Sequence, residues 1–471
     1  MTVNDSGIAH PVTDTKFRGL QWRMLLATMF CYAFFYTGRQ TFGFAIPGIE
    51  AELGLSKEVL GAISGLLLWT YAIGQMINGN IVDKIGGRRV MTAGSVLSTI
   101  LNWATSFAVG PFTLGAAWAA NGYAQAMGWT AGGRVISNWW PPSERGRSFG
   151  FYTFAGGVAS VVAYLTSTVV VDVLHLDWEW IFRVPVLLMF VGGIVFFLVA
   201  RESPASAKIV PPEHFVEELA VEHDAVTRGR VTRSRSATGR VTRDTATEGK
   251  TDRPEGEPPE QSSLSESSLS RYIRVLSNPR IWSTGIAIGF LNAARYGLLT
   301  WVPVYFLTTT VGGRGGGSVN PIWTSVALPT GMAVGALVNG EISDRLFGSR
   351  RDLPIVVFTG IGAIAAITMY AAPLGLTAGM MVLFLTGFFV YGPQSSFWAL
   401  TVDISGMEIA GTAIGVVNFF AYLFAGAVSP IIGYVMDVTG QTAYIFPIVA
   451  GCCVLSAAVT LTIRHRPQSG V

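Results

Sequence analysis

Asn78-Gly79-Asn80-Ile81-Val82-Asp83-Lys84-Ile85 and Asn339-Gly340-Glu341-Ile342-Ser343-Asp344-Arg345-Leu346 are two copies of one pattern. Each has an amide and a glycine, then isoleucine, aspartate, a cation and a branched aliphatic residue at fixed spacing. Each copy closes the second apolar stretch of its half of the chain. A single glycine-closed turn with an aspartate reads equally well as a topology anchor; two copies in register mark an internal repeat.

Around these copies, apolar windows recur at residues 22–47, 58–81, 90–109, 112–136, 148–171 and 181–200. They resume at 281–307, 321–343, 353–372, 376–401, 410–436 and 441–463. About 20 apolar residues cross a bilayer. The expected fold class is therefore an all-α membrane protein, with twelve transmembrane helices in two pseudo-symmetric six-helix bundles. Composition agrees: the 471 residues are 50% hydrophobic and 13% charged, against about 25% charged in soluble domains. The organisation predicted is a cytoplasmic tail at 1–21, a bundle at 22–203, a disordered linker at 204–275, a second bundle at 276–463 and a short tail at 464–471. The linker carries a basic repeat (Val226-Thr227-Arg228, Val231-Thr232-Arg233, Val241-Thr242-Arg243) and then acidic, proline-rich sequence, a composition that cannot bury a core.

Lys84, Arg88, Arg89, Arg145, Arg147, Arg345, Arg350, Arg351, Arg464 and Arg466 fall on one side of the spans. Glu50, Glu52, Glu58, Asp172, Asp177 and Glu179 dominate the other. The positive-inside rule makes the basic side, with both termini, cytoplasmic, as expected of a multi-pass protein of the plasma membrane. Cys31, Cys452 and Cys453 read as small packing residues.

Two cations break the apolar pattern. Arg39 has no other charge between Arg23 and Glu50, and Arg295 has none between Arg280 and Arg314. A cation at the centre of a membrane helix costs about 2.5–3.5 kcal/mol on insertion scales. The two arginines fall at nearly corresponding places in the repeat. A guanidinium fork suits phosphate or carboxylate, so one shared site for an incoming anion is the simplest reading. Tyr32, Tyr36, Tyr71, Gln75 and Asn292 lie at helical spacing near that level in the first, second and seventh spans. Tyr391 and Gln394 on the tenth span, with Asn418 and Tyr422 on the eleventh, complete the predicted wall. Asp83, Lys84, Asp344 and Arg345 read as gating latches. Trp129, Arg134, Trp139 and Trp140 read as an interface anchor, and Gly61/Gly65, Gly128/Gly132 and Gly411/Gly415 as close helix contacts.

All histidines and lysines fall in tails, loops or linker, and no carboxylate is evident near the midplane. A proton symporter usually needs such a group along the path, so anion exchange is favoured. There is no Walker loop, HExxH motif or Cys/His metal cluster. No enzyme chemistry, cofactor, metal or nucleic-acid partner is expected.

Tyr36-Thr37-Gly38-Arg39, Gly128-Trp129 with Gly133-Arg134, Trp139-Trp140 with Glu144-Arg145-Gly146, and Arg201-Glu202-Ser203-Pro204 lie in the first half. Arg295-Tyr296-Gly297, Tyr391-Gly392-Pro393 and Ala410-Gly411-Thr412-Ala413 lie in the second. Together this ordered set resembles the organophosphate:phosphate antiporter family of the major facilitator superfamily. The resemblance implies rocker-switch exchange of a glycerol-3-phosphate- or sugar-phosphate-like anion for inorganic phosphate. It also implies that Arg39 and Arg295 grip the phosphate and that Tyr32, Tyr36, Tyr71, Tyr391 and Tyr422 line the cavity. The expected partners are the small organic anion, inorganic phosphate and the lipid bilayer, with the protein acting as a monomer. The sequence departs from the glycerol-3-phosphate exchangers at Gln40 and Gln75, where they have lysines, at Gly156, where they have a histidine, and at Asn292, where they have a tyrosine. The organic group recognised is expected to differ accordingly. Two other functions stay open: a proton- or sodium-coupled importer of a non-phosphate anion, and a sugar-phosphate sensor.

Overall fold

A computed structural model describes residues 10–11, 13–218, 268–311, 321–347, 351–372, 374–405 and 409–463. Among the described residues the chain forms twelve helical spans. Those of the first half are span 1 (Asp14–Phe35, a 3-10 turn Tyr36–Gly38, then Phe42–Leu53), span 2 (Lys57–Ile85), span 3 (Gly87–Thr105), span 4 (Pro111–Trp139), span 5 (Pro142–Thr168) and span 6 (Glu179–Arg183 with Pro185–Val199). Those of the second half are span 7 (Pro279–Val311), span 8 (Pro321–Leu346), span 9 (Asp352–Ala371), span 10 (Leu376–Tyr391 with Gln394–Ser405), span 11 (Ala410–Thr439) and span 12 (Ile445–Leu461).

Six of these segments meet a strict length-and-hydropathy criterion for crossing a membrane: Lys57–Gly79, Ser148–Val173, Glu179–Val199, Asp352–Ala371, Thr412–Thr439 and Thr442–Leu461. Spans 1 and 7, which carry the two arginines, fall short of it. Apolar side chains such as Leu198 (64% exposed) and Ile364 (68%) point outward from both halves. Patches of that kind suit lipid rather than water.

The halves meet chiefly through span 2 against span 11 and span 5 against span 8. Gly61 and Gly65 lie directly on the backbone of Ser429 and Gly426, the close approach their spacing implied. Gly415, by contrast, faces open space. The junction is tied at the acidic end. Asp437, at the end of span 11, accepts hydrogen bonds from the Lys57 and Glu58 amides at 3.2 and 2.8 Å. Its carboxylate thus caps the positive end of a helix in the other half. Trp69 Nε1 donates to the Leu423 carbonyl (3.0 Å), and the Tyr164 hydroxyl donates to that of Leu299 (2.5 Å).

At the basic end the first half is braced within itself. Glu202 accepts from the Gly87 and Arg88 amides at 2.9 and 2.8 Å, capping span 3. Arg18 forks onto the Glu144 carboxylate.

Two domain boundaries need correction. Helix begins at Asp14, inside the stretch read as a tail. Part of the stretch read as disordered linker is folded: residues 209–210 pair in parallel with residues 10–11. Phe215 is 2% exposed and packs on Phe17 at a ring separation of 5.1 Å. One buried aromatic was enough to order a short segment whose composition reads as linker. Residues 268–275 belong to a helix leading into span 7. The rest of the linker, from 219 to 267, and the tail 464–471 lie outside the described residues.

Replacing Asp437 with Asn removes the charge from the cap but keeps its shape. A capping charge is worth about 1 kcal/mol, so closure at the acidic end should weaken about fivefold. A cysteine at buried Ser429 should then react about fivefold faster with a membrane-impermeant maleimide; an unchanged rate would show that this contact does not hold the end shut.

Candidate anion site between the halves

Span 1 is not a continuous helix. After Phe35 it tightens to a 3-10 turn, Arg39 adopts φ −136° and ψ −19°, and the helix restarts at Phe42. Arg39 therefore leaves the backbone at a break, whereas Arg295 projects from within the unbroken helix of span 7. The two side chains belong to opposite halves and converge on one group of tyrosines.

The Arg39 guanidinium lies 3.9 Å from the Tyr36 ring centre, 5.2 Å from that of Tyr71 and 5.7 Å from that of Tyr32. Its Nη2 donates to the Tyr32 hydroxyl at 3.2 Å. The Arg295 guanidinium lies 4.2 Å from the Tyr391 ring and 4.9 Å from that of Tyr296. Tyr36 links the two, stacking on Arg39 while lining the same cavity as Arg295. Tyr71 and Tyr422 touch across the halves with ring centres 4.5 Å apart.

Both arginines are buried, at 7% and 5% exposure. Among the described residues no carboxylate pairs with either. Arg39 Nε and Nη1 and Arg295 Nε have no hydrogen-bond partner. Cation–π contacts return about 0.5–2 kcal/mol each, but they accept none of the in-plane N–H groups. The open donors still call for acceptors, and an anion supplies both acceptors and the opposite charge.

Tyr32, Tyr36, Tyr71, Arg295, Tyr391, Gln394, Asn418 and Tyr422 line a cavity of about 310 Å³, the lower range for a small-molecule site. Three predicted site residues are not on this wall. The rings of Tyr32, Tyr36 and Tyr71 that surround Arg39 are on it, and Arg39 itself is not. Gln75 is half-buried with Nε2 unpartnered. Asn292 acts from behind, donating to Gln394 Oε1 (3.3 Å) and the Ile288 carbonyl (3.0 Å).

Trp129, Phe149, Thr153, Gly156, Trp398 and Ile414 also line the cavity and carry it toward the basic end. Trp129 is thus a wall residue rather than an interface anchor: it stacks on Tyr152 at 4.8 Å and 10°. Trp139 and Trp140, read with it, instead pack on Phe17 and Trp22. The neighbouring Gly128, which lets Phe35 close on this face, was the available signal. At Gly156 an added Cβ would stand 2.9 Å from the Tyr36 hydroxyl, so the missing side chain leaves room for the Tyr36 ring. Of the latch residues, Lys84 is exposed; the side chains of Asp83, Asp344 and Arg345 lie outside the described residues.

The sequence pattern of the Major Facilitator Superfamily matches residues 28–430. The chain is 25% identical over 458 residues to the glycerol-3-phosphate transporter of Bacillus subtilis (strain 168), covering 95% of this chain and 94% of the relative. It is 27% identical over 452 residues to a probable hexose phosphate transport protein of Chlamydia trachomatis, covering 93% and 90%. It is 25% identical over 453 residues to the membrane sensor protein UhpC of Salmonella typhimurium, covering 95% and 92%. Among solved structures, the fold is similar to a bacterial homolog of the human lysosomal transporter Spinster in an inward-facing, unoccupied conformation. That match has a TM-score of 0.67 at 14% identity over 95% of this chain and 99% of the other. A D-xylose-proton symporter matches with a TM-score of 0.66 at 14% identity over 94% and 97%. With two six-helix halves around a central cavity, and a pattern match running through both, this multi-pass membrane protein is a transporter-family chain rather than an enzyme and belongs to the Major Facilitator Superfamily.

Proposed function

We propose that the protein exchanges a small phosphorylated organic anion for inorganic phosphate by alternating access, as a member of the organophosphate:phosphate antiporters. The observation that carries this reading is the convergence of two buried, carboxylate-free guanidiniums from opposite halves on one group of tyrosines that lines the cavity. The names of the relatives, a glycerol-3-phosphate transporter and a hexose phosphate transport protein, support phosphate as the recognised group.

Arg39 and Arg295 supply the grip. The tyrosines shape the cavity, and Gln394 and Asn418 address the organic moiety. The described wall carries no lysine, histidine or carboxylate. That favours exchange, in which the anion itself neutralises the site, over coupling to a side-chain proton. A bound dianion draws the two arginines, and with them the two halves, together. The loaded carrier is then stabilised in transit relative to the empty one. The cavity runs toward the basic end while the acidic end is tied shut. With the basic end cytoplasmic, this is the inward-open state of a plasma-membrane carrier working as a monomer. Asp83, Lys84, Asp344 and Arg345 would latch the cytoplasmic end in the opposite state.

Liposomes loaded with phosphate and reconstituted with the protein should take up labelled phosphate only against internal phosphate. Arg39→Lys or Arg295→Lys should each lower that exchange at least about tenfold, because a point charge replaces a bidentate fork. Full activity in both variants would remove the site assignment. Uptake driven by a pH gradient without internal phosphate would point to coupled import, and saturable binding without flux to a sensor. Asn292→Ala should raise the half-saturating concentration of the transported organic phosphate about threefold, the order of one lost hydrogen bond. It should have no effect once Gln394 is Ala; an equal effect in both backgrounds would contradict its action through Gln394.

A further inference from the structure

Ser98 and Asn102 on span 3 and Asn121 and Gln125 on span 4 are each fully buried. None lines the cavity. They form one connected cluster. Gln125 Nε2 donates to Ser98 Oγ at 2.7 Å, and Ser98 Oγ donates to Asn121 Oδ1 at 2.6 Å. Asn102 Nδ2 donates to the Ser98 carbonyl at 2.9 Å. The cluster ends on a single acceptor: the Gly38 carbonyl takes a hydrogen bond from Asn121 Nδ2 at 2.7 Å and another from Asn102 Nδ2 at 3.2 Å.

Gly38 is the residue before Arg39, in the turn where span 1 breaks. It is glycine for a steric reason. An added Cβ would meet Gln125 Nε2 at 2.6 Å and Asn102 Nδ2 at 3.1 Å, so a side chain there would push the cluster off the carbonyl. The cluster is not self-sufficient as packing, since Asn102 Oδ1 and Gln125 Oε1 have no partner. A buried amide left partly unsatisfied costs about 1–3 kcal/mol.

We propose that Asn102 and Asn121, oriented by Ser98 and Gln125, are positioning residues that fix the Gly38 carbonyl and so aim Arg39 before the anion arrives. Arg295 needs no such device, because its backbone lies within a continuous helix. The cluster joins spans 1, 3 and 4 of one half only. Rocking of the halves leaves it intact, and Arg39 keeps one orientation in both states. The benefit is preorganisation: a cation already aimed loses less freedom when it binds. This inference rests on the reading of Arg39 as part of the anion grip.

The test is a pair of double-mutant cycles on the purified full-length protein, with inorganic phosphate affinity read from the ligand-induced thermal shift. Asn121→Ala should weaken phosphate binding about tenfold, the order of a misplaced binding group. In an Arg39→Lys background it should add almost nothing. In an Arg295→Lys background it should add its full factor, since only interacting sites depart from additivity. A merely structural role would lower the ligand-free melting temperature and add equally in both backgrounds, which would overturn the inference. The underlying reading fails separately, if Arg39→Lys and Arg295→Lys themselves leave phosphate affinity unchanged. Should Asn121→Ala not fold, Ser98→Ala, which removes the hydroxyl that orients Asn121 and Gln125 but keeps both amides that reach the Gly38 carbonyl, goes through the same cycles with the same outcomes deciding.

Discussion

Two guanidiniums buried without a carboxylate set the terms for the rest of this structure. Their charge is carried by the faces of tyrosines from both halves, Tyr36 and Tyr71 on Arg39 and Tyr391 and Tyr296 on Arg295. Aromatic faces lower the cost of burial without consuming the N–H groups. The arginines therefore stay inside the protein and remain open to an anion. Other features follow from this compromise. Span 1 abandons its helix beside Arg39, and buried amides crowd the break.

The fold follows a division of labour between the two ends. At the acidic end, glycine contacts and a carboxylate cap bring the halves to backbone distance. At the basic end, Glu202 caps span 3 and Arg18 holds Glu144, both within the first half. The cavity opens beside a braced first half rather than by loosening it. That is the mechanical requirement of a carrier whose halves move as bodies.

The sequence made the twelve-span plan and the arginine pair legible, because membrane thickness fixes span length and a charge in an apolar run has no neutral explanation. The tyrosine partners were found by helical spacing, although Arg39 turned out to leave the helix; the turn at Tyr36–Gly38 kept it above the same rings. Other features were not legible for identifiable reasons. Trp129, Phe149 and Trp398 are aromatics in apolar helices, and pattern alone does not separate a cavity wall from core. The break in span 1 carries no proline signal. Ser98, Asn102, Asn121 and Gln125 are uncharged residues scattered over two helices, and only the fold brings them to one carbonyl. Residues 209–215 are folded on the strength of Phe215, too small a signal to stand out from polar surroundings.

The unpaired arginines also have an electrical consequence. A charge carried across the membrane is worth about 2.3 kcal/mol per 100 mV. On the proposed reading the empty centre holds two positive charges, and a centre holding a dianion holds none. Passage with cargo is then nearly indifferent to membrane voltage, while reorientation without cargo works with or against the full potential. The polarised membrane would itself penalise empty cycling in one direction, making voltage a second enforcer of strict exchange alongside the contacts between the halves.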